Sequence, residues 1–219
     1  DSPYPKEHRD SDMIKVGERV LAGASIRGRS HARDGTHRDD DFIIRELADG
    51  WTLMVVADGA GSAKFSREGS RILVDTMHSF IKERIDSENG LAAINDEAAG
   101  SIEGDAKIDR KNNPLINGAW SSLKNIEKEA DKEEARRKDF NTTIISCLFK
   151  DFGEKTFIYS FCIGDGAIFA IEAETGNVKP LNAADSGEFA GQTVFLTTPQ
   201  VWEDSKSLFG RIKVEVVSR

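Results

Sequence analysis

The sequence predicts an α+β fold in which antiparallel β-sheets carry helices on their outer faces. The first observation is the order of the elements, because several apolar strands precede two amphipathic helices and several more strands follow them. The second observation is that strands and helices do not alternate regularly, as they would in a doubly wound fold with a parallel sheet. A length of 219 residues with 38% hydrophobic residues suits one domain with its own core.

The N-terminal part of the chain divides into an arm and the first strand. Residues 1–15 are polar and contain Pro3 and Pro5, so we interpret them as a flexible arm, and residues 16–219 as the domain. Apolar residues at every second position within 16–26 predict a strand.

The stretch 53–57 is a short, Val-rich apolar run, which predicts a buried strand. Asp58 follows directly, and Gly59 and Gly61 lie in the small-residue loop behind it. A carboxylate beside an exposed carbonyl is half of a site for a hard cation such as Mg²⁺ or Mn²⁺. A plain Asp-Gly turn between a strand and a helix explains the same residues, and the sequence leaves both interpretations open.

A second acidic stretch precedes the predicted strand 42–47. Asp39, Asp40 and Asp41 follow a segment of mixed charge that begins at residue 27. Three successive carboxylates repel one another unless a cation or arginines lie among them. A solvated loop is the alternative interpretation, because runs of mixed charge are usually exposed.

The remaining elements follow from periodicity. Apolar residues at fourfold spacing predict a helix at 66–85 and a second at 114–139, and residues 91–99 predict a short helix between them. Further strands are predicted at 143–149, 156–163, 167–172, 193–197 and 212–217. The tight turn 164–166 should join the second and third of these as a hairpin.

Composition excludes several classes of function. The net charge of −8 argues against a nucleic-acid surface. No stretch reaches the ~18 apolar residues that span a membrane. Cys147 and Cys162 both lie in apolar runs, which indicates a reducing, cytoplasmic location and no disulfide framework.

Five stretches, in this order, resemble the metal-dependent serine/threonine phosphatases of the protein phosphatase 2C family, and in particular its bacterial branch with a DGAGSA loop. These stretches are 28–31 with Asp39 and Asp40 downstream, 56–63, 139–143, 163–166 and 187–197. Each stretch alone is a weak signal, but five in the family's order are a strong one.

The resemblance implies an αββα sandwich of two antiparallel β-sheets flanked by helices, with a centre for two Mn²⁺ or Mg²⁺ ions at one end of the sheets. Asp58 matches the acid that bridges the two ions, and the carbonyl of Gly59 faces a metal. Asp39 and Asp40 match the earlier acidic pair, with Asp40 the better fit. Asp165 matches a position associated with an accessory third ion.

Two further residues are candidates for roles in catalysis. A phosphate needs an arginine for bidentate contact, and Arg33 is our candidate, with Arg29 second. Many family members have a histidine where this chain has Ala60, so His31 is a candidate proton donor. A solvent-facing arginine and a histidine that orders the loop are equally good interpretations.

The implied function is hydrolysis of phosphoserine and phosphothreonine in proteins, since two cations about 4 Å apart can activate a water and hold a phosphate. The implied partners are phosphorylated proteins and a cognate serine/threonine kinase. The family's later acidic motifs do not appear before Arg219, so we expect the sequence to omit the C-terminal end of the domain. The first alternative is a pseudophosphatase binding module with an incomplete metal site. The second is an acidic domain with one structural cation or none.

Overall fold

A computed structural model describes residues 4–104, 108–185 and 193–219. The strands are β1 (Arg9–Val16), β2 (Arg19–Ile26), β3 (Asp41–Glu46), β4 (Thr52–Ala57), β5 (Ile144–Phe152), β6 (Lys155–Ile163), β7 (Phe169–Ile171), β8 (Val178–Pro180) and β9 (Ile212–Ser218). The helices are α1 (Arg29–Arg33), α2 (Ser66–Asp86), α3 (Glu88–Glu103), α4 (Pro114–Lys132), α5 (Pro199–Glu203) and α6 (Ser205–Gly210). Among these helices, none is both long and apolar enough to cross a membrane.

The centre of the fold is an antiparallel sheet of five strands in the order β3-β4-β5-β6-β9. Because side chains alternate along a strand, each strand contributes to two faces. In β4, Leu53 and Val55 are fully buried in the core beneath the helices, whereas Met54 packs on the opposite face. The sheet therefore separates the large core from a smaller one.

Helices α2 and α4 pack against each other over the large core. Met77 of α2 and Leu123 of α4 are at most 1% exposed, as the fourfold spacing predicts. A Cβ placed on Gly118 would lie 2.9 Å from the sulfur of Met77, so this glycine lets the two helices approach closely. The helix predicted at 66–85 is confirmed by α2.

The opposite face of the sheet carries two antiparallel hairpins, β1–β2 and β7–β8. Leu21 of β2 and Ala170 of β7 pack against Phe149 and Ile158 of the central sheet. In the described part of the chain the second layer consists of these hairpins. The α+β class with antiparallel sheets and helices outside is confirmed.

The N-terminal segment differs from its prediction as an arm. β1 begins at Arg9 and pairs along its whole length with β2, through a turn at Gly17 with a φ of 59°. A strand in a two-stranded hairpin that is partly exposed on both faces needs few apolar residues. The polar sequence of residues 9–16 therefore gave no indication of strand β1.

The helices between α2 and β5 also differ from prediction at their ends. α3 extends over Glu88–Glu103 where only 91–99 were expected, because the Ser87 side chain caps its start by accepting the Gly90 N–H. α4 ends at Lys132 and does not reach residue 139. The charged run that follows offers no apolar stripe, and Phe140 returns the chain to the core at 0% exposure.

One hairpin prediction and one strand prediction are wrong. The hairpin of 156–163 with 167–172 does not form, because β5 and β9 already occupy both edges of β6, and β7 pairs with β8. Residues 193–197 form a loop, in which the Leu196 N–H donates to the carbonyl of Thr142 at 2.9 Å. Residues 187–192, the first part of the fifth family-like stretch, lie outside the described residues.

Candidate metal centre

Asp58 follows β4 directly, and its backbone is held by the two threonines that precede β5. Its carbonyl oxygen accepts hydrogen bonds from the Thr143 N–H at 2.9 Å and from the Thr142 hydroxyl at 3.1 Å. Its own N–H donates to the Thr143 hydroxyl at 3.2 Å. The threonine pair in the third family-like stretch therefore fixes where the Asp58 carboxyl can point.

Gly59 brings the two acidic stretches together. A Cβ at this position would lie 2.5 Å from the carbonyl oxygen of Asp39, so the contact requires a glycine. The Gly59 N–H donates to Oδ1 of Asp40 at 3.3 Å. The close backbone approach therefore sets Asp40 beside Asp58.

The Asp58 carboxyl lies among other acids. Its partial burial, a hydrogen bond with Asp40, and the charges of Asp40, Asp165 and Asp39 raise the pKa of Asp58 to about 7. The residue is exposed at the surface, so a ligand can reach it. The structure thus places the Asp40 carboxyl within hydrogen-bonding reach of Asp58, and the charge of Asp165 acts on Asp58. The roles of all three as metal ligands stay a prediction.

Asp39, the other acid predicted to bind metal, is bound by an arginine. Its Oδ1 accepts hydrogen bonds from Nε and Nη2 of Arg67 at 3.2 and 3.1 Å, and Oδ2 lies 3.6 Å from Nε2 of His31. Both members of the Arg67 pair are buried, with side-chain exposures of 10% and 5%. Asp39 is therefore engaged within the protein, which favours Asp40 as the ligand of the two.

Asp41 is neutralised in the same way, and its side chain does not face solvent. Its side chain is 13% exposed and lies 3.1 Å from Nζ of Lys6 and 3.6 Å from Nη1 of Arg38. The ion pairs of the described residues thus include Asp39 and Asp41 but neither Asp40 nor Asp58. Of the three successive acids, only the middle one keeps its carboxylate for the site.

The two predicted catalytic side chains lie in and around α1. The Arg33 side chain is 77% exposed and pairs with the adjacent Asp34 at 2.8 Å, and no described contact joins it to the acids. The Nδ1 atom of His31 lies 3.0 Å from the Thr36 hydroxyl, and Nε2 faces Asp39. These contacts suit a residue that orders the loop, and the role of His31 as a proton donor stays a prediction. The role of Arg33 stays a prediction.

Asp165 lies in a turn whose backbone is held by Asp185. The Gly164 N–H donates to Oδ2 of Asp185 at 2.8 Å, and that carboxylate also binds Arg211. Gly164 has a φ of 121°, which favours glycine. The Thr193 hydroxyl donates to Oδ2 of Asp165 at 3.4 Å. Asp165 is thereby presented at the surface beside the other acids.

A groove of about 410 Å³ between β2 and the central sheet reaches Asp40 and Asp58. Their carboxylate oxygens are the donors that hard divalent cations prefer. No set of three or more His, Cys, Asp or Glu side chains within 4–104, 108–185 and 193–219 is arranged to hold a metal ion. The carboxylates of Asp40 and Asp58 are therefore chemically suited to a divalent cation, and they are the two carboxylates that the described residues offer it.

Sequence reasoning missed three residues that hydrogen-bond to the acidic stretch 39–41, namely Lys6, Arg67 and Ser70. Arg67 and Ser70 are buried near the start of α2. Polar residues on the face of a helix that packs on the core could have indicated them. No local pattern pointed to Lys6.

Comparison with known proteins identifies the family of the chain. Residues 27–216 match the family model described as protein phosphatase 2C. No curated protein sequence matches the chain significantly. The fold is similar to that of a Streptococcus agalactiae serine/threonine phosphatase, with 15% identity over 96% of this chain and 74% of that one and a TM-score of 0.47. The phosphatase Stp1 from Staphylococcus aureus has 12% identity over 100% of this chain and 72% of its own, with a TM-score of 0.44.

Proposed function

The chain belongs to the protein phosphatase 2C family of protein serine/threonine phosphatases, and from that premise we propose that Asp40, Asp58 and the carbonyl of Gly59 hold Mn²⁺ or Mg²⁺ for catalysis. The reaction is hydrolysis of phosphoserine and phosphothreonine in proteins. A divalent cation bound here would lower the pKa of a water and neutralise the phosphate.

One observation carries this proposal: the carboxylates of Asp40 and Asp58 lie together, and among the described residues neither has an ion-pair partner. Burial first, and then the hydrogen bond and charge of Asp40, raise the pKa of Asp58 to about 7, so both carboxyls cannot ionise at neutral pH without cost. A divalent cation offsets this repulsion. Asp39 and Asp41, by contrast, have protein cations of their own.

The other residues of the site position these ligands and receive the substrate. Thr142 and Thr143 fix the Asp58 backbone, and the groove beside β2 gives a phosphorylated side chain access to the acids. We assign Asp165 to an accessory ion, because its charge already acts on Asp58. Arg33 is our candidate for the phosphate contact, since its exposed side chain can move toward a bound substrate.

The proposed setting is the cytoplasm, with phosphoproteins made by a cognate serine/threonine kinase as substrates. Cys147 and Cys162 are free thiols, and burial raises the pKa of both, to about 12 and about 11. Unreactive, unpaired thiols suit a reducing compartment.

A pseudophosphatase is the second candidate. The observation that favours it is the lack, among the described residues, of three or more side chains arranged around one ion. Hard divalent cations take about six oxygen ligands, so water would fill most positions.

Hydrolysis of a phosphothreonine peptide by the full chain, with and without Mn²⁺, separates the two candidates. We expect Mn²⁺-dependent turnover that Asp58→Asn abolishes, because an amide cannot supply the negative charge of a ligand. Asp96→Asn is the matched control, since Asp96 is exposed on α3. Near-normal turnover by Asp58→Asn removes that residue from the mechanism, and no turnover by the full-length protein favours the binding module.

A further inference from the structure

The segment that precedes β1 lies against the acidic stretch, although it falls outside residues 27–216 that match the family. Lys6 is at its centre, and the side chain is only 7% exposed. A buried ammonium group is costly unless it is fully hydrogen-bonded and paired. Its partners therefore indicate what it does.

Lys6 Nζ has three acceptors around it. They are the carbonyl oxygen of Asp40 at 3.2 Å, the hydroxyl of Ser70 at 2.8 Å and Oδ2 of Asp41 at 3.1 Å. Three acceptors match the three donors of an ammonium group. Arg38 shares the Asp40 oxygen at 2.6 Å. The particular contribution of Lys6 is to join that oxygen to Ser70.

Ser70 completes the connection on the other side of Asp40. Its hydroxyl donates to the carbonyl oxygen of Asp39 at 2.5 Å. The two carbonyls held by Lys6 and Ser70 belong to the peptide units on either side of the Asp40 Cα. Fixing both peptide units fixes the backbone dihedrals of Asp40, and hence the direction of its side chain.

The segment itself is anchored on both sides of Lys6. The carbonyl oxygen of Lys6 accepts a hydrogen bond from Nδ1 of His37 at 2.8 Å. The Tyr4 ring packs edge-on against Phe65, with ring centroids 6.1 Å apart, and its hydroxyl donates to Oε1 of Glu129 at 3.3 Å. The ammonium group is therefore held in place relative to the start of α2.

We propose that Lys6 is a positioning residue of the metal site. Through Ser70 and the two carbonyls, it keeps the Asp40 carboxylate directed toward the Gly59 N–H and Asp58. The inference rests on the proposed function of Asp40. It assigns part of the active site to a segment outside the family match.

The sign of the effect distinguishes positioning from simple electrostatics. Lys6 is a cation close to a site for cations, so its charge alone repels a metal ion. Removing that charge would strengthen Mn²⁺ binding if Lys6 acted only through its field. Removing a positioning contact weakens binding, and residues that orient metal ligands typically contribute tenfold or more to affinity.

Calorimetric titration of the full chain with Mn²⁺, without substrate, tests the proposal. We expect Lys6→Met to raise the Kd for Mn²⁺ about tenfold, and Ser70→Ala to raise it in the same direction without a change of charge. Lys15→Met is the matched control, since Lys15 is exposed on β1. In the metal-free protein, amide hydrogen exchange of residues 37–42 should be faster in Lys6→Met than in the control.

Mn²⁺ binding by Lys6→Met as tight as that of the unaltered chain, or tighter, overturns the proposal. If Lys6→Met does not fold, Ser70→Ala decides by the same criterion. Failure of the unaltered chain to bind Mn²⁺ is a different result, which overturns the proposed function and this inference together.

Discussion

The backbone N–H of Gly59 donates to Oδ1 of Asp40 at 3.3 Å, so the loop that follows β4 holds a carboxylate from the stretch that precedes β3. Antiparallel pairing of these strands sets Asp41 opposite Ala57, which brings both acidic stretches to one end of the sheet. The candidate site is therefore a direct consequence of the β3–β4 register.

Replacing Gly59 by alanine should damage both the site and the fold. The new Cβ would lie 2.5 Å from the Asp39 carbonyl oxygen and 3.0 Å from that of Ser66. Both are backbone atoms that cannot move aside easily, so we expect a loss of about 1–3 kcal/mol in the free energy of unfolding. Urea unfolding of the metal-free protein measures it. Gly210→Ala is the control, since a Cβ there meets no atom within 4 Å. Equal stability of the two variants would contradict the close contact.

Arg67 and Asp39 should be energetically coupled. Arg67→Met leaves a buried carboxylate without its cation, which we expect to cost about 3–5 kcal/mol of unfolding free energy. Asp39→Asn combined with Arg67→Met should cost less than the sum of the single changes, because the uncompensated charge is gone. A double-mutant cycle by denaturant unfolding measures this coupling. Additivity within about 0.5 kcal/mol would show that the pair contributes nothing specific.

The metal-free protein should lose stability as the pH rises toward neutrality. The pKa of Asp58 is about 7 in the folded chain, above the aspartate value of about 4 expected when the chain is unfolded. The folded state therefore binds this proton more tightly, and its stability falls as the pH rises from about 4 to about 7. Thermal unfolding from pH 5 to pH 8, with EDTA present, measures the trend.

The control for the pH dependence is Asp58→Asn, which cannot titrate. Its unfolding temperature should fall less between pH 5 and pH 8 than that of the unaltered chain, whereas Asp96→Asn should follow the unaltered chain. The same slope in all three proteins would mean that Asp58 does not titrate in this range.

The sequence was sufficient to predict the acidic ends of strands but not the contacts behind them. Asp58 follows a buried apolar run, and the three acids 39–41 precede another, so local patterns indicate both acidic stretches. The family resemblance already favoured Asp40 over Asp39, but the physical reason is the ion pair of Asp39 with Arg67, which lies 28 residues further along the chain. The same limit applies to Lys6, because its contact with Ser70 spans 64 residues. A pattern in a short window cannot contain such a contact.

Strand pairing shows the same limit, because a local pattern predicts a strand but not the strand that pairs with it. β6 itself is predicted by its alternating apolar residues, but its second neighbour is β9, which lies near residue 215. Once β9 occupies that edge, the segment after Gly164 cannot fold back as a hairpin partner. The sequence pattern at 164–166 therefore predicts a turn correctly, but it cannot show that β9 and not the following segment pairs with β6.

Mn²⁺ binding by Asp58→Asn shows whether Asp58 is a metal ligand. Calorimetric titration of the unaltered chain, Asp58→Asn and the Asp96→Asn control requires no substrate and no assumption about turnover. The described residues offer two carboxylates to one ion, so we predict one tight Mn²⁺ per chain for the unaltered protein and the control, and no tight binding for Asp58→Asn. Tight binding of Mn²⁺ by Asp58→Asn, equal to that of the control, would contradict the account.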